Sequence, residues 1–426
     1  MHVAAQIIMA LTLILMVVGR TPLYSTAVVG STIAALVYGI PLISADPEAT
    51  SIKSLVVGGL NPVIADMAGV LLFIGVMEHA GYLRVLVNAI IRQGNKMGGG
   101  PGVATSGGIA AGLIGAFTGF TQPAITAVVT GPASTNLGVD PHKSAGTHAH
   151  AGHLGNFAGF THPTLLAVIA TAGITFGWIN AIGLATALVI FGVSFVRMRQ
   201  DVKHQHAMSE EETAEALKEF QATKEDPSVW WVLLPFLLLV VGFALGYPVF
   251  IVGFVVSVLV MLMARLNAME AERSMLESVK RVAVPLIATV GFLYMSGVIR
   301  SVGITELLAG WFEPLLNNVP ILTLVIVSAI AGLLTQSNSA SAAIILPFLG
   351  LVMAHGGVNP LAAAAAAAGP TAVMQYFLTG GPIAALATTI PVVPGSDLKK
   401  ANLFQRPSQL AGLLFVAIVA VVLGGL

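Results

Sequence analysis

Half of the ten histidines in this chain fall in one window, PHKSAGTHAHAGHLGNFAGFTHP (141–163). Imidazole gains and loses charge near neutral pH, binds anions when charged and ligates metals when neutral. On a helix turning about 100° per residue, His142, His150 and His153 share an arc of roughly 80°, and His148 points elsewhere. Three readings stand together. The group packs as satisfied core residues; it switches charge in a proton-coupled carrier or clamps an anion; or it holds a metal. HAHAGH lacks the i,i+4 histidine pair and neighbouring acid of a zincin motif. The candidates for coupling or proton carrying are His150, His153, Asn156 and Asp66, the last in NPVIADMAGVLLF. Asp66 also reads as an interfacial helix-end acid. Glu78 and Arg300 read as interface anchors.

A second kind of chemistry lies in AGLLTQSNSASAAIILP (331–347), where six Ser, Thr, Asn or Gln residues interrupt an apolar run. Small hydroxyl and amide side chains compete for helical backbone bonds, so unwinding is expected there. Unwound backbone at membrane depth persists only where protein buries it or water reaches it. GAFTGFTQPAIT (115–126) is a comparable break in the first half. Half-helix N-termini at paired breaks present free N–H groups to a carboxylate, and free carbonyls and side-chain oxygens suit Na+. The expected substrate-binding residues are Thr118, Gly119, Phe120, Thr121 and Gln122 in one break, and Thr335, Gln336, Ser337, Asn338 and Ser339 in the other. Gln375 and Thr379 follow a later helix break. The competing reading is that small residues merely let helices pack closely.

The elements that must carry these residues follow from composition. The chain is 56% hydrophobic and 9% charged, and the runs 3–19, 23–43, 177–197, 229–246, 248–264 and 407–426 approach a bilayer's span. Roughly ten to twelve crossings or half-crossings of about 20 residues fit, so the chain reads as an all-α polytopic membrane protein. Zero Cys excludes disulfides and thiolate chemistry, and zero net charge implies no nucleic-acid partner. No cleavable signal is evident, and the first apolar run reads as a retained helix. Thirteen of the 38 charged residues lie between Arg197 and Asp226, which marks a connecting loop. The expected division is 1–198, first transmembrane repeat; 199–227, cytoplasmic loop; 228–426, second repeat.

The halves match in order. At a spacing of 222, GVLLFIGVMEHAG (69–81) meets GFLYMSGVIRSVG (291–303); at 220, AGL meets AGL; at 219, GVDP (138–141) meets GVNP (357–360) and Pro163 meets Pro382. This registration aligns Thr118 with Asn338. Lys and Arg placement favours N-terminus out, with the central loop, the loop 264–281 and the segment holding Lys399, Lys400 and Arg406 inside. Each half then crosses an odd number of times, giving two inverted-topology repeats, each with a re-entrant hairpin and a broken transmembrane helix.

GFTQPAITAVVTGPASTNLGVDPHKSAG (119–146) and LLTQSNSASAAIILP (333–347) with GVNP resemble the paired motifs of the lactate permease family. More broadly, the chain is similar to the ion transporter superfamily, which includes gluconate permeases and dicarboxylate symporters. The resemblance covers about a third of the chain. It implies transport of small mono- or dicarboxylates across the cytoplasmic (inner) membrane, driven by H+ or Na+, with residues 119–123 and 335–339 as hairpin tips. Gln122 and Gln336 depart from the motif. A secondary active permease is therefore expected, with no enzyme activity, no cofactor other than Na+ as a candidate coupling ion, the lipid bilayer and a small organic anion as partners, and a homodimer as the candidate assembly. The alternatives are an intramembrane His-ligated metalloenzyme and a passive anion channel.

Overall fold

The computed structural model describes residues 2–18, 21, 23–46, 49–59, 62–118, 123–202, 226–281, 283–354, 356–378 and 384–425. The described elements are helical: α1 (His2–Val18), α2 (Leu23–Tyr38), α3 (Ile52–Gly59), α4 (Pro62–His79), α5 (Tyr82–Thr118), α6 (Ala124–Asn136), α7 (Pro141–Ala149), α8 (Ala151–Phe157), α9 (Pro163–Ala172) and α10 (Trp178–Val202). The second half holds α11 (Val229–Ala244), α12 (Val249–Met263), α13 (Ala268–Arg281), α14 (Ala283–Ser301), α15 (Ile304–Asn318), α16 (Pro320–Thr335), α17 (Asn338–Ala354), α18 (Pro360–Met374), α19 (Ala384–Thr389) and α20 (Leu398–Gly424).

Two of these, α10 and α20, are individually long and apolar enough to cross a membrane; α4 and α5 together pass the same test but bend by 76°. Most other apolar helices stop at 10–17 residues, because Gly, Pro and polar runs cut them. Outward faces carry large apolar side chains, among them Leu237, Val240, Ile251 and Val255, as a lipid-facing surface requires.

The helix α5 breaks sharply inside GNKMGGGPG. Gly99 has φ +53, a left-handed conformation that a side chain would strain. A Cβ on Gly102 would lie 1.9 Å from the Gly94 carbonyl oxygen. The two parts of α5 therefore touch through bare backbone. The second part packs beside α6 as the first hairpin, and α16 packs beside α17 as the second.

Both helices that follow the hairpins start in the same way. Asp140 accepts hydrogen bonds from the backbone N–H groups of His142 (2.8 Å) and Lys143 (3.4 Å), with Pro141 at the first helical position. Asn359 accepts from Leu361 (2.9 Å) and Ala362 (3.4 Å), with Pro360 first. The matched GVDP and GVNP sequences are thus two copies of one cap-and-proline helix start.

The core holds the hairpins against α10 and α20. Seven consecutive alanines, Ala362 to Ala368, are buried in α18, and their small size brings α16 and α20 close on either side. The base of the first hairpin joins the start of α20: Ala104, Val139, Met198 and Phe404 form one cluster. The base of the second meets its far end, where Gly424 stands against Ile321. The hairpins enter from opposite ends of the same long helix.

Candidate functional site

The second hairpin turns in two residues. Thr335 ends α16, Gln336 takes φ +49, and Asn338 begins α17. A non-glycine residue in the left-handed region is uncommon and strained, and three polar contacts hold this one in place. The Thr335 hydroxyl lies 2.8 Å from the Ala331 carbonyl, 3.0 Å from the Ser337 carbonyl and 2.7 Å from the Ser341 hydroxyl. The Ser337 hydroxyl accepts from the Ala340 N–H (3.3 Å), capping α17. Only Gln336 and Ser337 leave the helix; the rest of the polar run lies in the last turn of α16 and the first turn of α17 and scaffolds the tip.

This tip is bonded to both helix breaks. Gln375, just past the end of α18, accepts through Oε1 from the Asn338 backbone N–H at 2.9 Å. From the first half, the Thr164 hydroxyl donates to the Asn338 carbonyl at 3.0 Å, and His162 Nδ1 lies 3.3 Å from Asn338 Nδ2. The same first-half break reaches the first hairpin, since the Phe160 N–H donates to the Ala116 carbonyl at 2.8 Å. Residues 160–164 therefore lie between the end of the first hairpin arm and the tip of the second.

Two asparagines complete the breaks. Asn180 donates through Nδ2 to the carbonyls of Ala158 (3.1 Å) and Gly159 (2.9 Å), freed where α8 ends. Asn402 donates to the Tyr376 carbonyl at 3.0 Å, freed where α18 ends. The two are 222 residues apart, the spacing of the repeat. The sequence reading passed over both; an amide at the same repeat position in two apolar helices was the available signal.

The histidines divide differently from the helical arc. His150 lies between α7 and α8, where i→i+3 backbone bonds tighten the turn, so the window is not one continuous helix. The His150 and His153 rings lie 5.3 Å apart. His150 Nε2 is 2.8 Å from Ser194 Oγ, which is 2.8 Å from Ser408 Oγ. His153 Nδ1 lies 3.2 Å from the Ala372 carbonyl, and its ring meets Tyr376 edge-on at 5.0 Å. Asn156 donates to the Tyr376 hydroxyl at 2.9 Å. His142, by contrast, accepts from the Asp397 N–H near the chain surface. His148 is bonded at both nitrogens, to Thr130 (2.7 Å) and Ser144 (2.9 Å), and serves packing.

Several buried polar atoms here have no hydrogen-bond partner among the described residues: His150 Nδ1, His153 Nε2, Gln336 Oε1 and Asn338 Oδ1. Such atoms are costly in a dry interior and call for a water, ion or ligand. No group of three or more His, Asp or Glu side chains converges on a metal position among the described residues.

The remaining expected residues fall as follows. Ser339 is half-buried in the first turn of α17. Thr118 ends the first arm of its hairpin, as Thr335 does in the second. By place at the end of a helix, Thr118 on α5 corresponds to Thr335 on α16, whereas the sequence registration pairs it with Asn338. Gly119, Phe120, Thr121, Gln122 and Thr379 lie outside the described residues. Asp66 is half-buried on α4 beside the backbone of Phe250, in the seam between α4 and α12, and is not gathered with the breaks. Glu78 and Arg300 are exposed at helix ends, as interface anchors are.

Comparison with known proteins follows from this geometry. The family described as the tripartite ATP-independent periplasmic transporter, DctM component, matches residues 7–374. The fold is similar to the crystal structure of the Alcanivorax borkumensis YdaH transporter, with TM-score 0.60 and 16% identity over 94% of this chain and 98% of that one. It is also similar to Neisseria gonorrhoeae MtrF, described with a class of antimetabolite efflux pumps, with TM-score 0.62 and 14% identity over 95% and 96% of the chains. At these identities the likeness carries the fold alone. No curated protein matches.

Proposed function

The chain belongs to the DctM family, the membrane component of tripartite ATP-independent periplasmic transporters, and from that premise we propose that it moves a small organic anion through twin hairpin tips by coupled transport. Family membership makes it an inner-membrane, multi-pass transporter component and not an enzyme. It also corrects the nearer resemblance: the family is DctM, not the lactate or gluconate permeases.

The observation that carries the proposal is the junction at Asn338, where Gln375 of one half and Thr164 and His162 of the other converge on one hairpin tip. A carboxylate at that junction would be met by the N-terminus of α17, by the Asn338 amide and by the tips' hydroxyls. Substrate contacts are assigned to Thr118 through Gln122, Thr335 through Ser339, Gln375 and Thr379. Coupling is assigned to the His150, His153 and Asn156 cluster, with H+ or Na+ as driving ion; Asp66 would act at a distance from it, along α4. The halves 1–198 and 228–426 read as inverted repeats about the loop 199–227, supported by the equivalent caps and the equivalent Asn180 and Asn402. A three-part system implies a periplasmic binding protein that delivers the anion and a small membrane partner of the DctQ type.

The test is uptake into proteoliposomes of a panel of labelled mono- and dicarboxylates, with both partner components present, with and without a Na+ gradient and at two pH values. Accumulation against the anion's own gradient is expected. Gradient-independent equilibration would instead favour the passive channel.

A further inference from the structure

A cavity of about 890 Å3, outside the Asn338 junction, opens on the flank of the molecule between α5, α10 and α11 and runs along the first hairpin arm as far as Phe117. Its depth is apolar, with Ile109, Leu113 and Phe117 from α5, Leu188 from α10 and Phe236 from α11. Its mouth is different: Arg92 and Lys96 stand there beside Met97 and Trp230, which are 68% and 82% exposed.

The mouth lies at the basic end of the molecule. Gly98, at the kink of α5, abuts Phe195, two residues before Arg197 on α10. The guanidinium of Arg197 sits 4.5 Å from the Phe404 ring of α20, with Lys143 at 5.8 Å. Lys399, Lys400 and Arg199 occupy the same helix ends. Such a concentration of Lys and Arg marks the cytoplasmic side, and an exposed Trp at that level suits the headgroup region. From Val229 at the mouth to Phe236 in the depth is seven residues of α11, or about 10 Å, against roughly 15 Å for the hydrocarbon of one leaflet. The groove therefore runs inward from the cytoplasmic interface through most of one leaflet.

We propose that this groove binds one anionic phospholipid of the cytoplasmic leaflet, its phosphate on Arg92 and Lys96 and an acyl chain along Leu188, Leu113 and Phe236. The paired cations select an anionic headgroup over a zwitterionic one, and the apolar trench requires a chain. Gly94 and Gly102, either side of the α5 kink, also line the cavity, so the lipid would brace the base of the first hairpin. A Cβ on Gly192 meets nothing within 4 Å, which makes that position a place to fill the groove without a backbone clash.

Native mass spectrometry of the purified full chain, titrated with phosphatidylglycerol or phosphatidylcholine, tests this. Wild-type protein is expected to retain phosphatidylglycerol preferentially. The double variant Arg92→Gln/Lys96→Gln is expected to weaken that binding about thirtyfold, from about fivefold per cation near a membrane surface. Gly192→Trp, with the cations intact, is expected to reduce binding of both lipids. Equal retention of the two lipids by wild type, or unchanged phosphatidylglycerol binding in both variants, overturns the proposal. So does phosphatidylglycerol binding that is absent from the full chain and appears only after deletion of residues 203–225, which would mean that the chain fills its own groove.

Discussion

Replacing Gln375 by Ala removes the clamp between the second hairpin tip and the break after α18. Two hydrogen bonds go: the Asn338 N–H to Oε1 at 2.9 Å, and Nε2 to the Ala372 carbonyl at 3.1 Å. Each contributes about 1 kcal/mol net, and a buried donor left unpaired adds about 1–3 kcal/mol. The combined cost to stability is about 2–5 kcal/mol, at the low end if water reaches the freed N–H. Only the bond to Asn338 joins the tip to the break, so its loss raises the detached population of the tip about fivefold, and more if the freed N–H stays dry. Hydrogen exchange of the segment 336–341 is expected to accelerate by that factor, and uptake to fall with it, while exchange in α10 stays unchanged. Gln375→Glu keeps the acceptor and places a carboxylate at the N-terminus of α17, which the helix end favours; it is expected to hold the tip. Wild-type exchange at 336–341 in Gln375→Ala would refute the reasoning.

Three further outcomes are expected. Asn338→Ala and Gln122→Ala each abolish uptake without loss of folded protein, read by transport together with size-exclusion behaviour; full activity in both would dismiss the tips as the binding site. His153→Ala flattens the pH dependence of uptake between pH 5.5 and 8 if protons drive it, while His148→Ala lowers thermal stability without changing that profile. Gly332→Ala forces a Cβ to within 2.7 Å of the Thr371 carbonyl and 2.9 Å of its Cα; with backbone on the other side, the strain is about 1–3 kcal/mol, visible as a lower melting temperature.

The fold class was legible because its cause is local. Apolar runs and the GVDP and GVNP starts form what their residues dictate, while the polar insert at 335–341 unwinds only at Gln336 and Ser337. Each of the six long apolar runs carries a helix, though α2 stops at Tyr38, short of the end of its run. What the sequence could not supply was geometry between elements. Of the three histidines assigned to one arc, His142 parts from His150 and His153, whose rings stay 5.3 Å apart, and the helix tightens at His150, a bend no periodicity announces. Asp66 stands out in the sequence because an acid in an apolar run is unusual; its place in the seam with α12 depends on how Gly69 and Gly253 meet backbone to backbone. His162 and Thr164 were overlooked as tip contacts, since their partner Asn338 is 174 or more residues away. Asn180 and Asn402 were within reach of the 222-residue repeat but lay outside the segments first compared.

The absence of Cys from the chain permits the most direct test of the central claim. A single Ser337→Cys, at the half-buried tip, can be labelled with a small thiol reagent in proteoliposomes containing the partner components and a Na+ or proton gradient. Succinate or lactate should slow labelling in a concentration-dependent way, and Gln375→Ala in the same background should abolish the protection. Labelling at one rate whatever the carboxylate, under every gradient, would contradict the account.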